Sequence, residues 1–184
     1  LGYAATSLRA IANNASVNLA ATNYHFGSKE GLLAAVIHRH IQPVNADRLR
    51  RLDILEDNLL PPSLREILEA FFFPLAETIP ESNMRAVMGR VLSEPESLTR
   101  PIIAEEFAEV QIRFQSAIAL VMPELDSETL NWRFHLMIGS MIHILKFPKP
   151  LTRHEIDEAF PHTIERLVNY SIAGLSQQVA NDNV

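Results

Sequence analysis

Apolar residues return at intervals of three, four and seven along almost the whole chain, and no stretch alternates long enough to make a strand. That rhythm restricts the chain to packed helices. Starts fall at Ser, Thr, Asp and Asn, whose side chains accept hydrogen bonds from the free amides of a first turn, and stops fall at prolines. Thr6 is placed to cap a short helix reaching about Asn14, Asn18 a second to about Tyr24, and Ser28 a much longer third to roughly Asp53. Pro43 lies inside that third pattern, so a kink or a break is expected there. Leu60-Pro61-Pro62 reads as a linker, and Ser63-Leu64-Arg65-Glu66 as a capping box opening a helix through Phe71, Phe72 and Phe73. Pro74 is expected to bend that helix. Further helices are expected over about 82–93, 101–122 and 127–147, and a last one over about 154–177 behind a second capping box, Thr152 to Glu155. The expected fold is all-α, with a small first domain over 1–45 and a larger helical domain over 46–184.

Composition narrows the function classes. The 184 residues include no cysteine, which excludes a disulfide scaffold, a zinc-thiolate site, an iron–sulfur cluster and a cysteine nucleophile. No apolar run approaches the roughly 18–20 residues that cross a bilayer, and the start lacks a signal-peptide pattern, so a cytoplasmic protein is expected. Leu1 is not an initiator methionine, so the chain is expected to begin upstream of it. The net charge of −6 hides an asymmetry. The first 51 residues hold six basic against two acidic side chains, and the remainder ten against twenty. A basic lobe on an acidic body suits a protein that meets a polyanion with one end only.

The informative stretch is Thr6 to Leu33. Two short helices joined by a tight turn, with small Ala12 where they cross and Val17 as a plug, describe a helix-turn-helix. Its second helix would present a slim face to a groove about 12 Å wide. By residue chemistry, Thr6 and the amides beside it suit a phosphate, and Arg9 a phosphate or a guanine edge. Leu19, Ala20 and Ala21 suit thymine methyls, and Asn23 an adenine or a phosphate. Asn18 is a cap or a base reader.

The run Asn23-Tyr24-His25-Phe26-Gly27-Ser28-Lys29-Glu30-Gly31-Leu32-Leu33, preceded by Ile11-Ala12 and Ala15-Ser16-Val17, resembles the DNA-binding domain of the TetR/AcrR family of bacterial transcriptional regulators. The likeness covers about the first 50 residues. It implies a homodimeric repressor with a ligand-responsive helical C-terminal domain, and a further helix preceding Leu1. It also implies that Tyr24, His25 and Lys29 clamp the DNA backbone. From the residues alone, Tyr24 is equally a core side chain, His25 a donor to a backbone carbonyl, and Phe26 a core residue. Ser16 stands where the family usually has glycine, Thr22 where an aliphatic residue is usual, and Asn23 where tyrosine is common. If Ser16 is left-handed, serine costs about 1 kcal/mol relative to glycine.

No catalytic, metal or cofactor motif is found: neither a phosphate-binding glycine loop, nor a dinucleotide fingerprint, nor a zinc-protease pair. His38 and His40 face different ways on one helix, and Ser140 with His143 reads as packing. The stretch Phe134 to Leu145 is apolar almost all round, which calls for cover from a partner subunit. Together with the final helix it is expected to form a homodimer interface through helices about 127–147 and 154–177. Phe72, Met84, Met88, Phe107, Phe114 and Trp132 are expected to line an apolar effector cavity or, alternatively, an ordinary core. Arg85, Arg90 and Arg113 are candidates to anchor a carboxylate at its edge. The expected function is that of a ligand-responsive, dimeric repressor of a palindromic DNA operator, not an enzyme. The alternative is a helical dimerisation or adaptor protein without DNA binding.

Overall fold

The computed structural model describes residues 2–77, 83–147 and 160–177, the side chains of 83–86 excepted. Among these residues the secondary structure is helical throughout, as the spacing of apolar side chains requires. The helices are α1 (Leu8–Asn14), α2 (Leu19–Phe26), α3 (Lys29–Glu56), α4 (Leu64–Phe72) and α5 (Pro74–Glu77), followed by α6 (Asn83–Val91), α7 (Glu96–Val121), α8 (Ser127–Lys146) and α9 (Phe160–Ser176).

Local chemistry sets most of the starts. Asn18 Oδ1 accepts from the Ala20 amide at 2.7 Å, Ser28 Oγ from Gly31 at 3.0 Å, and Asp126 Oδ1 from Thr129 at 2.9 Å. The Ser63–Glu66 capping box is closed in both directions. One cap differs from expectation. Ser7, not Thr6, caps α1 by accepting from Ala10 at 3.1 Å, because the Thr6 hydroxyl is turned back to donate to the Gly2 carbonyl at 3.0 Å. The second capping box, Thr152 to Glu155, lies outside the described residues.

The prolines behave differently from one another. Pro74 ends α4 and opens α5, but α3 runs through Pro43, and α7 starts at Glu96 and runs through Pro101. Each of these two rings deprives the carbonyl four residues back of its partner. Both prolines and the residues in question, Arg39 and Ser97, are exposed, so water can take the missing donor's place. The expected break at Pro43 is therefore absent, and the boundary expected at 45/46 falls inside α3.

The larger core joins α3, α4, α7, α8 and α9. At its centre the Phe71 ring meets Phe72, Phe114 and Phe134 edge-on, with centroids 5.0, 5.0 and 5.8 Å away. Each such ring contributes roughly 1.5–3 kcal/mol by burial, and edge-to-face geometry adds to it. A smaller cluster, Ile37, Ile41, Met88 and Val91, ties the first half of α3 to α6.

Two tight corners set the first three helices. At the end of α1, the Val17 amide donates to the Ala12 carbonyl at 3.0 Å and the Ser16 amide to Asn13 at 3.1 Å. That pair of bonds is a Schellman motif, and it holds Ser16 left-handed at φ 56°. Between α2 and α3, Gly27 also has a positive φ, and a Cβ on Gly31 would sit 2.1 Å from the Phe26 carbonyl oxygen. Ser16→Gly should therefore stabilise the protein by about 1 kcal/mol, raising a single thermal transition by roughly 2–4 °C. Gly31→Ala should lower the transition, because α3 can no longer approach α2; an unchanged midpoint for both variants would contradict this account of the corners.

Candidate nucleic-acid interface and effector cavity

The helix-turn-helix is built from α1 and α2 crossing at Ala12, which is fully buried, with Thr22 facing inward from α2. What α2 leaves outward is Ala20, Ala21, Asn23, Tyr24 and His25, with Leu19 half-buried at their edge. Arg9 is exposed on α1. Tyr24 is 86% exposed and edge-on to His25 at 5.4 Å between centroids, so it is a surface residue and not a core one. Asn18 spends its side-chain oxygen on the cap. Val17 and Phe26, expected inside, are exposed at 51% and 37%. Their position, not their hydrophobicity, decides this: each sits beside a corner where the chain turns away from the helix pair.

Lys29 occupies a different setting from the one expected. Its ammonium donates to the carbonyls of Tyr3 and Thr6, both at 3.0 Å, and lies 4.0 Å over the Tyr3 ring. Two of its three donors thus hold the entry to α1 in place. The same segment is fixed twice more. The Tyr3 hydroxyl donates to Glu30 at 2.8 Å, and the Tyr3 amide donates to Glu94 at 3.0 Å from beyond α6. Desolvation and the Glu30 carboxylate beside it push the Tyr3 phenol up to about 12, so it remains a donor at any physiological pH.

The charge asymmetry is also redistributed. Arg50 and Arg51 both pair with Asp47, and Arg51 reaches Glu77 as well. Arg48 is buried. Among the described residues, Arg9 and Arg39 are the exposed basic side chains of the first 51 that make no ion pair. The positive end of the molecule is smaller than counting suggests.

Behind this lobe lies a cavity of about 650 Å³, within the size range of small-molecule sites. Its walls come from α3, α5, α6, α7 and α8, and Ile41, Val44, Met88, Phe107, Ile138 and Leu145 give it an apolar character. Of the residues expected there, Met88 and Phe107 are on the wall. Phe72 and Phe114 are in the core away from it, and the Met84 side chain lies outside the described residues. Trp132 is 61% exposed on α8 and stands against His135 instead. Arg113 is paired with Asp53 and Glu56 at 2.8 and 2.6 Å, Arg90 is exposed and off the wall, and the Arg85 side chain is outside the described residues.

Two arginines border the cavity, Arg100, which is exposed and paired with Glu96, and Arg48, which is buried. Arg48 continues the inward stripe Ile37, Ile41, Val44 and Leu52 at helical spacing, which is the sequence signal that places it inside. The other polar groups singled out in the sequence are taken up locally. The Ser140 hydroxyl donates to the Leu136 carbonyl of its own helix, His38 is paired with Glu106 at 2.9 Å, and no group of metal-binding side chains forms among the described residues. No described helix is long and apolar enough to cross a membrane.

A helix-turn-helix at the end of an all-helical body with an internal cavity defines a class, the DNA-binding transcriptional regulators. The comparisons with known proteins give the particular family. Residues 2–36 match bacterial regulatory proteins of the tetR family, and residues 69–174 match the tetracyclin repressor-like C-terminal domain. The chain belongs to the tetR family, whose members are DNA-binding regulators and not enzymes. Eight solved chains are similar to it. One is the TetR family transcriptional regulator PfmR from Thermus thermophilus, with TM-score 0.57 and 18% identity over 97% of this chain and 92% of that one, a likeness of fold. No curated protein matches the chain.

The setting of Lys29 generates a prediction. Lys29→Met should free residues 3–6, and the Thr6 amide, which donates to Tyr3 at 3.2 Å, should exchange at least about tenfold faster. Unchanged exchange would mean that Glu30 and Glu94 suffice to hold the segment.

Proposed function

We propose that the protein is a dimeric, ligand-responsive repressor that holds a palindromic operator when its cavity is empty and releases it when a small, mainly apolar effector enters. The observation that carries this reading is the double membership of α3. Its first turn carries Lys29 and Gly31, which fix the helix-turn-helix, and His40, Ile41, Val44 and Arg48 further along are part of the cavity wall. Glu94 adds a second link, since it borders the cavity and accepts from Tyr3 ahead of α1. An effector that moves α3 or the Glu94 segment moves the DNA-binding lobe with it. Two lobes at the wrong separation cannot enter successive major grooves together.

In this reading Arg9 and Asn23 read base edges, Leu19, Ala20 and Ala21 lie against thymine methyls, and Tyr24, His25 and the start of α1 meet phosphates. Thr6 and Lys29 act mainly by placing that start, and Asn18 by capping α2. The dimer forms through α8 and α9. Trp132, Leu136 and Gly139 stand exposed along α8, as do Tyr170, Ala173 and Gly174 along α9. Large apolar side chains beside small ones let two helix pairs approach closely, as in a four-helix interface. The operator places the working protein in the cytoplasm.

The test is binding to the promoter fragment beside its own gene at two salt concentrations. Affinity should fall steeply with salt, and the footprint should cover two half-sites about one helical turn apart. Arg9→Ala or Asn23→Ala should cost about 1–3 kcal/mol and relax preference at particular base pairs. Leu136→Glu should yield monomers on sedimentation and reduce operator affinity to that of one half-site. Absence of salt-sensitive, sequence-specific binding would overturn the reading, and a dimeric Leu136→Glu variant would move the interface elsewhere.

A further inference from the structure

Arg48 is 1% exposed, and among the described residues no carboxylate lies within ion-pair reach of it. Its contacts are neutral. Nε donates to the Phe71 carbonyl at 2.7 Å, Nη1 to Asn45 Oδ1 at 2.9 Å, and Nη2 makes a weak contact of 3.4 Å to the Met141 sulfur. The guanidinium lies over the Phe71 ring at 4.3 Å and the Phe107 ring at 5.1 Å. Asn45 is itself held, donating to the Glu106 carbonyl at 2.7 Å. The planar head is thus fixed in orientation from several sides before any ligand arrives.

A guanidinium carries five N–H groups, and these contacts use three, one of them on a poor acceptor. Carbonyls and ring faces offset part of the cost of burying the charge, but a buried ion without a counter-charge stays expensive. Burial draws its pKa down to about 9, which still leaves it protonated at neutral pH. The other charged side chains on the wall do not answer it. Glu96 and Arg100 pair with each other at 2.7 Å and are both largely exposed, and Glu94 accepts from Tyr3. A purely structural tether between α3 and α4 would need one neutral donor to the Phe71 carbonyl. Arg48 supplies that and a full positive charge beside an apolar cavity.

Resting on the reading of this cavity as the effector site, we propose that the effector is an amphiphilic anion, an apolar body with a single carboxylate head that pairs with the buried Arg48. The apolar body lies along Ile41, Val44, Met88 and Ile138, and the head takes Nη2 of the guanidinium in place of the weakly held Met141 sulfur, which must give way because Arg48 is 1% exposed. Fixed donors on a buried guanidinium favour an ionised head over a neutral one of equal length, because only the ion supplies the missing charge.

The experiment compares dodecanoate with dodecan-1-ol by calorimetric titration of the whole dimer, and repeats both in Arg48→Met and Arg48→Lys. Wild-type protein should bind dodecanoate roughly 10- to 100-fold tighter than the alcohol. In Arg48→Met that preference should vanish through loss of carboxylate affinity, with alcohol affinity kept, and Arg48→Lys should retain part of it. The wild-type comparison stands by itself if a variant fails to fold. Equal affinity for the two heads, no binding of dodecanoate, or equal loss of both ligands in Arg48→Met would overturn the proposal. A parallel titration with promoter DNA separates the two readings. Dodecanoate that binds through Arg48 without weakening DNA binding confirms the anion site and refutes regulation through it. DNA release by both ligands alike preserves regulation and refutes the role of Arg48.

Discussion

A single unbroken helix joins the two halves of this molecule, and its continuity is the constraint from which the rest follows. At about 1.5 Å per residue, the 28 residues of α3 span about 42 Å. Its amides and carbonyls are bonded to one another almost throughout, so it moves as a body and not as a hinge. One end is held to α2 by the close approach at Gly31, and the other packs through Leu52 in the larger core beside α4 and α7. The small cluster of Ile37, Ile41, Met88 and Val91 keeps α6 against its midpoint. One helix thus borders the cavity and carries the contacts that place the helix-turn-helix.

Much of this was legible in the residues, and the reason is local. A cap needs one side-chain oxygen and an amide two or three positions on, so Asn18, Ser28, Ser63 and Asp126 could be identified from spacing alone. Thr6 failed because a competing acceptor, the Gly2 carbonyl, is brought close only by the fold of the entry segment. The continuity of α3 and α7 through proline was equally hidden, since it depends on which side of each helix faces water.

The cavity was the least legible part. Aromatic and methionine side chains mark apolar interior in general, and nothing in the spacing separates a wall from a filled core. Phe72 and Phe114 went to the core and Trp132 to the surface, while Arg48 reached the cavity. Its place in the inward stripe of α3 could have been noticed, but charge counting assigned it to the basic lobe. Pairing is decided by tertiary packing, which is why Arg50 and Arg51 also dropped out of that lobe.

The left-handed serine at the α1–α2 turn bears on recognition itself. Among the described residues α1 and α2 each bury one side chain, Ala12 and Thr22, and the connecting Ser16 sits in a conformation that disfavours any residue with a Cβ. Strain at that turn lowers the cost of parting the two helices from each other. A partner that needs both helices in place binds with an apparent affinity scaled by the fraction of molecules in which they are together. That scaling is the same for every such partner. The turn therefore bears on how firmly any partner of the helix pair is held, and not on which partner the outward side chains of α2 favour.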